Sequence, residues 1–114
     1  MLPDSTKVRN NSNIAKFADT GIDELLRRVI AAGANKGRLI AKIAGGARMF
    51  EVRGLSDVGN IGARNAEAAK AKLKQLGIRL VAEDTGLNYG RTVELHCDTG
   101  EFYIKSVGKP LKII

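Results

Sequence analysis

The chain has 114 residues, of which 44% are hydrophobic, and its 19 Lys and Arg against 12 Asp and Glu give a formal net charge of +7. A chain of this size suits one domain over residues 1–114, and no run of about 20 apolar residues or signal-peptide pattern is present, so we expect a cytoplasmic protein without membrane insertion. One cysteine, Cys97, and one histidine, His96, exclude a disulfide framework and predict no metal site.

The chain opens with "MLPDS", a composition typical of a strand that ends in a turn. Proline cannot donate to a strand ladder, and Asp and Ser side chains close turns. Residues 6–13 are polar and lack periodicity, so they predict a flexible loop.

The first helix is predicted near residues 19–32. Asp19 or Thr20 can cap its start, and Gly33 lies where helices commonly end. The apolar residues recur at helical spacing on one face: Ile22, Leu25, Leu26, Val29 and Ile30.

The next two segments predict a strand and a second helix. "GRLIAKIAGGA" is short and apolar, which indicates a strand buried largely on both faces and ended by Gly45 and Gly46. The segment near 61–76 is rich in strong helix formers, with Asn60 as a candidate cap and Gly77 as a stop.

The last third of the chain predicts strands. "IRLVAEDTG" alternates apolar and polar residues, and "GRTVELHCDTGEFYIKSV" contains two alternating segments joined by a turn at Asp98-Thr99-Gly100. The order therefore predicts an α/β fold, an α+β layered sandwich with two helices packed on a mixed β-sheet that ends in a C-terminal hairpin.

Two motifs suggest catalysis but are better explained by structure. His96 and Cys97 are adjacent, and neighbouring residues of a strand point to opposite faces, so they do not form a nucleophile and base through local structure. The "DTG" triplets at 84–86 and 98–100 resemble those of aspartic proteases, but their flanks are polar and Asp-Thr-Gly is ordinary turn chemistry.

Two further features are weak signals of binding. "IAGGARMF" is rich in glycine but lacks the lysine and hydroxyl residue of a phosphate-binding loop. The positive charge alone would attract nucleic acid, anionic lipid or an acidic protein partner, yet the five aromatic residues have no nucleic-acid-binding context, so a small nucleic-acid-binding domain rests on charge alone. The basic residues are dispersed, which is more typical of a solvated surface than of a binding groove.

Taken together, the segments resemble one family, the CheD chemoreceptor glutamine deamidases. The matching segments occur in the family's order and cover nearly the whole chain: "MLPDS", "KFADTGIDELL", "AKIAGGARMF", "NIGARNAEAAKAKL", "GIRLVAEDTG" and "GRTVELHCDTGEFYIK". The resemblance implies hydrolysis of glutamine side-chain amides on methyl-accepting chemotaxis receptors, with no cofactor and no metal.

The resemblance also implies a catalytic cysteine in a Leu-Gly-Ser-Cys segment and a histidine two positions before the Met-Leu-Pro turn. Neither has a counterpart in this sequence, and His96 and Cys97 match neither position. We therefore expect the chain to begin partway through the family domain and to be inactive alone, through either a start codon assigned at an internal methionine or a naturally shortened member. The uncovered apolar faces of "LIAKIA" and "IRLVA" then favour association.

The expected partners are the receptors and, in some bacteria, a CheC-type phosphatase, with no nucleic acid. Gly45, Gly46 and Asn60 are our candidates for the substrate face, because glycines permit close approach. Turns that merely connect elements would explain the same residues. The alternative function is a non-catalytic chemotaxis interaction module that keeps the partner surface but not the chemistry.

Overall fold

A computed structural model describes residues 1–7, 13–48 and 61–114. Its elements are helices α1 (Ala18–Ala31) and α2 (Ile61–Leu76), and strands β1 (Ile40–Gly45), β2 (Arg79–Thr85), β3 (Thr92–Leu95), β4 (Phe102–Lys105) and β5 (Lys112–Ile113). The predicted fold class is confirmed, with two helices, parallel strands and a C-terminal hairpin. Most of the predicted loop at 6–13, and the predicted cap Asn60, lie outside the described residues.

Helix α1 begins one residue before the predicted start, and the predicted capping is wrong. Phe17 occupies the N-cap position and makes no side-chain capping bond. Asp19 lies inside the first turn, where it accepts a hydrogen bond from the Ser5 hydroxyl at 2.8 Å. The Thr20 hydroxyl donates to the main-chain oxygen of Ile14. Both side chains therefore bind the segment that precedes the helix, and neither occupies the N-cap position.

The packed face of α1 is narrower than predicted. Leu25 is 61% exposed and Ile30 is 42% exposed, whereas Ala18 is fully buried. The C-terminal end is as predicted, because Gly33 adopts a φ of 110° and its N–H donates to the oxygen of Ile30. This left-handed residue ends the helix as glycine commonly does.

Strands β1 and β2 form a parallel pair connected through α2. The register runs from Ile40 opposite Arg79 to Gly45 opposite Thr85, with an irregularity between Ala41 and Lys42. Helix α2 begins and ends at the predicted residues, and its Leu73 is buried with Ile78 in the core. The alternation predicted for β2 is confirmed by its alternating burial.

The prediction that β1 is buried on both faces is wrong. Ile40 is 56% exposed, and the other β1 residues are half-buried. Within the described residues β1 has hydrogen-bonded ladder contacts with β2 alone, so one of its edges is left without a strand. Apolar composition indicated a strand here but could not say how many neighbours cover it.

The antiparallel sheet has the strand order β3-β4-β5, and its middle strand contributes the buried Ile104. The predicted hairpin turn is confirmed, because Gly100 has a φ of 78° and donates to the oxygen of His96 at 2.7 Å. Strand β5 was not predicted. Its Ile113 lies opposite Tyr103 of β4.

The two sheets are joined by side chains. The Lys42 ammonium of β1 donates to the main-chain oxygens of Gly100 at 2.6 Å and Ile114 at 2.9 Å. These bonds attach the hairpin turn and the segment after β5 to the parallel pair. No helix in the described ranges has the length and apolar character needed to cross a membrane.

A close contact between two glycines fixes the start of α2 against the turn after β1. A Cβ atom on Gly62 would lie 2.7 Å from the carbonyl carbon of Gly46 and would also clash with the main-chain oxygen of Ala47. A Cβ on Gly46 would lie 2.8 Å from the oxygen of Gly62. Neither side chain can be added without moving backbone.

We expect Gly62→Ala to destabilise the domain by roughly 1–3 kcal/mol, because the added methyl overpacks this contact. The measurement is the urea dependence of the circular dichroism signal. Gly21→Ala is the matched control, since a Cβ there meets its nearest atom at an ordinary 3.5 Å inside α1. The control should be neutral or stabilising, and an equal loss in both variants would contradict the prediction.

Candidate functional site

The carboxyl ends of β1 and β2 meet at one edge of the domain, which we call the carboxyl edge. Gly86 donates its N–H to the oxygen of Gly45 across this edge at 2.9 Å. A Cβ on Gly45 would meet nothing within 4 Å, whereas Gly46 is held against α2. The structure therefore places both predicted glycines here, and open sheets of this class bind ligands at such an edge.

A buried ion pair supports the carboxyl edge from inside. Arg91 Nε donates to Asp84 Oδ2 at 3.1 Å, and the two side chains are 1% and 9% exposed. Lys112 Nζ donates to the other oxygen, Asp84 Oδ1, at 3.2 Å. Arg91 Nη1 lies within 3.3 Å of three main-chain oxygens, those of Gly45, Gly86 and Tyr89.

The Asp84 carboxylate is held in its charged form. Burial alone would raise its pKa, but the hydrogen bonds and charges of Lys112 and Arg91 outweigh burial and lower the pKa below its ordinary value. The Asp84 carboxylate therefore stays ionised at neutral pH. Asp84 is a structural anion here and is poorly suited to act as a general base.

Tyr89 is contacted by two cations beside this cluster. The guanidinium of Arg91 lies 4.4 Å from the centre of the Tyr89 ring, and the Lys109 ammonium lies 4.5 Å from it. Arg91 Nη2 is buried and has no hydrogen-bond partner among the described residues, so the Tyr89 ring offers this guanidinium an electrostatic contact in addition to Asp84.

A cleft of about 340 Å³ opens next to Tyr89, with apolar and basic walls. Among the described residues that line it, none is a cysteine or histidine; they are Asp84, Tyr89, Ile104, Ser106, Lys109, Pro110, Leu111 and Lys112. The cleft can therefore accommodate a side chain, and its described lining offers neither a thiol nor an imidazole.

His96 and Cys97 do not form a catalytic pair. The His96 ring stacks on Tyr103 with ring centres 4.0 Å apart, and its Nε2 lies 2.7 Å from Glu94 Oε1. The hydrogen bond from His96, with a smaller effect of Lys105, lowers the pKa of Glu94. Cys97 is exposed, and its thiol has no hydrogen-bond partner in the part of the chain that the structure describes.

The opening segment is anchored at three points. Leu2 forms a parallel bridge with the buried Phe17, and the Asn65 amide of α2 donates to the oxygen of Met1 at 2.7 Å. Ser5 donates its N–H to Asp19 at 3.1 Å. Burial raises the pKa of Asp19, but the hydrogen bonds of its neighbours, Ser5 first, outweigh burial and lower it overall.

An open groove of about 770 Å³ runs between this anchored segment and α2. Its walls contain charges of both signs, contributed by Asp4, Asp19, Arg64, Glu67 and Lys72. Within residues 1–7, 13–48 and 61–114, no three His, Cys, Asp or Glu side chains are arranged to hold a metal ion.

Sequence reasoning missed the residues that organise the carboxyl edge. Asp84 was interpreted as turn chemistry, and Arg91 was counted as one of many dispersed cations. One signal was available, because Asp84 continues the inward alternation of β2 after Ile78, Leu80 and Ala82. A charge on the inward side of a strand requires a buried partner.

The comparisons with known proteins agree with one another. A family model described as CheD chemotactic sensory transduction matches residues 1–106. A protein named "Probable chemoreceptor glutamine deamidase CheD" from Lachnoclostridium phytofermentans is 60% identical over 114 residues, which are all of this chain and 71% of that protein. Proteins of the same name from Caldanaerobacter subterraneus and Moorella thermoacetica are 53% and 52% identical, also over the whole chain, and it covers 70% and 69% of them.

We expect Asp84→Asn to lower the free energy of unfolding at pH 7 by about 3 kcal/mol, because it leaves the buried Arg91 cation without its anion. Asp98→Asn, in the exposed hairpin turn, is the matched control and should change stability little. Urea unfolding of both variants measures the difference. Similar losses at the two positions would contradict the role of the ion pair.

The pH dependence should follow from the same group. Because the pKa of Asp84 is lower in the folded than in the unfolded chain, its contribution to stability is complete above about pH 5 and is lost as pH falls below about 4. We expect the urea midpoint to fall over this range, with a smaller fall in Asp84→Asn. An unchanged slope in that variant would assign the acid sensitivity to other carboxylates.

Proposed function

Because the chain belongs to the CheD family, we propose that it functions in bacterial chemotaxis as a chemoreceptor glutamine deamidase. The observation that supports this most directly is the 60% identity to a relative of that name over the whole chain. The reaction hydrolyses the side-chain amide of a receptor glutamine, so the products are a glutamate and ammonia.

The chemistry requires a nucleophile and a base. In the mechanism that the resemblance implies, imidazole takes the proton of a thiol, the thiolate attacks the amide carbon, and the C–N bond breaks as ammonia leaves with a returned proton. Water then hydrolyses the thioester, which frees the thiol and leaves the carboxylate.

We propose that neither group is supplied by the 114 residues. The side chain of His96 is engaged with Glu94 and Tyr103, and Cys97 is exposed without a hydrogen bond. The cysteine and histidine that the resemblance implies have no match among these residues, so the chain alone should be inactive. This same observation favours the second candidate function, a non-catalytic chemotaxis interaction module.

The anchored opening segment is proposed to position the base. Asn65 binds the main-chain oxygen of Met1, and Asp19 binds Ser5, which fixes the segment at both ends. A histidine two positions before Met1 would therefore lie close to the start of α2. The start of α2 is next to the carboxyl edge, because Gly62 of α2 contacts Gly46.

The carboxyl edge is the proposed substrate face. A Cβ on Gly45 would meet no atom within 4 Å, and the residue has a φ of 115°, which supports close approach of another chain. Gly46 and Asn60 belong to the same proposal. The close contact with Gly62 is by itself sufficient reason for a glycine at position 46.

The receptors are the partners in this proposal, and a CheC-type phosphatase is a proposed regulator. We propose that the protein acts in the cytoplasm, which its membership of a chemotactic sensory transduction family supports. A nucleic-acid function has less support, because Phe17 is fully buried and Tyr89 is engaged with Arg91 and Lys109, so these rings are not free to stack on bases.

The test is ammonia release from a soluble chemoreceptor fragment. The 114-residue chain should release none, whereas a chain preceded by a segment with the Leu-Gly-Ser-Cys motif and the histidine should release it. Cys97→Ala in the longer chain should not change the rate, and replacing the added cysteine should abolish it. Inactivity of the longer chain would favour the interaction module, and activity lost in Cys97→Ala would overturn the assignment of the nucleophile.

A further inference from the structure

Unpaired cations gather at the edge of the domain opposite the carboxyl edge. There α1 and α2 end and the parallel strands begin, so residues distant in sequence come together. Ile40 at the start of β1 lies opposite Arg79 at the start of β2. We call this cluster the basic edge, and it consists of Lys36, Arg38, Lys74 and Arg79.

The basic edge collects several cations without partners at one edge of the part of the domain that the structure describes. Elsewhere on the same elements, Lys70 pairs with Glu83 at 2.8 Å and Lys72 pairs with Asp23 at 2.9 Å. By contrast, all four side chains of the basic edge are exposed, and none has an ion pair or side-chain hydrogen bond in the described structure. Four unopposed charges within one edge produce a local positive field.

Apolar side chains lie beside these cations. Ile40 is 56% exposed and directly follows the segment that contains Lys36 and Arg38. Ile30, in the last turn of α1, is 42% exposed. An apolar centre with a charged rim is the usual anatomy of a protein-binding surface. A surface that binds only phosphates would not need the two isoleucines.

We propose that the basic edge docks an acidic helical face of the chemoreceptor, away from the glutamine that reacts. The inference rests on the proposed function, and charge complementarity identifies the occupant. Each deamidation replaces a neutral glutamine with an anionic glutamate, so the reaction adds negative charge to the receptor helix. The basic edge binds a receptor more tightly when neighbouring sites are already glutamate.

The dimensions of the domain allow both contacts at once. Strand β1 has six residues, which span about 17 Å at roughly 3.3 Å per residue. The same distance along a receptor helix is about 11 residues at roughly 1.5 Å per residue. The basic edge therefore contacts charged side chains of the receptor helix about three helical turns away from a glutamine bound at the carboxyl edge.

The experiment compares two double variants of the 114-residue chain that each remove two lysine charges. Lys36→Gln with Lys74→Gln alters the basic edge, whereas Lys16→Gln with Lys105→Gln removes exposed lysines elsewhere. The probes are a soluble helical receptor fragment with glutamine at its modification sites and the same fragment with glutamate there. Affinities are measured at low ionic strength, and a thermal melt confirms that each variant is folded.

We expect the unaltered chain to bind the glutamate fragment more tightly than the glutamine fragment. The basic-edge variant should lose roughly five-fold in affinity for the glutamate fragment, the value of two exposed ion pairs, and should discriminate less between the fragments. The control variant should lose less than about two-fold.

Three results would overturn the proposal: equal losses in both double variants, equal affinity of the unaltered chain for the two fragments, or tighter binding to duplex DNA or anionic vesicles than to the receptor fragment. Because the readout is binding, it is independent of ammonia release. A selective loss of affinity in the basic-edge variant supports docking even if the longer chain proves inactive. That combination of results would reject the deamidase function and keep the docking proposal.

Discussion

The buried pair of Asp84 and Arg91 is the interaction on which the arrangement of this domain depends. No hydrogen-bonded ladder joins the parallel pair to the antiparallel sheet within the described residues, so side chains must set their relation. Arg91 reaches main-chain oxygens of β1 and of the segment after β2, and Lys112 brings β5 to the same carboxylate. A buried ion pair is weakly stabilising in itself, but removing one partner is costly, so it specifies geometry more than it adds stability.

The distribution of charge divides the domain into two ends with different roles. At the carboxyl edge the cations Arg91 and Lys112 both pair with the Asp84 carboxylate. Arg91 also holds the main-chain oxygens of Gly45 and Gly86 in place. At the basic edge the cations face solvent, with no partner among the residues that the structure describes. In the sequence the Lys and Arg residues are dispersed. The fold brings four of them to one edge, because the C-terminal ends of the helices and the first residues of the parallel strands lie at the same edge.

Local patterns predicted the elements well because each depended on neighbouring residues. The bounds of α2 follow from a run of strong helix formers and from Gly77, and the hairpin follows from Asp98-Thr99-Gly100. The failures depended on distant residues. Asp19 binds Ser5 in place of capping α1, β1 is less covered than its composition suggested, and the partner of Asp84 lies on another segment. The glycine turn that ends β1 at Gly45 could be predicted from the sequence, but the charges that support the carboxyl edge could not.

The Lys42 ammonium has a consequence for the order of folding. Its two main-chain acceptors are 58 and 72 residues away along the chain, so neither bond can form until the segments that carry Gly100 and Ile114 have been synthesised. Contacts between residues so far apart must overcome a large loop-closure entropy and form slowly. On the ribosome, the helices and the parallel strands can assemble first, and closure of the antiparallel sheet onto them is the late step.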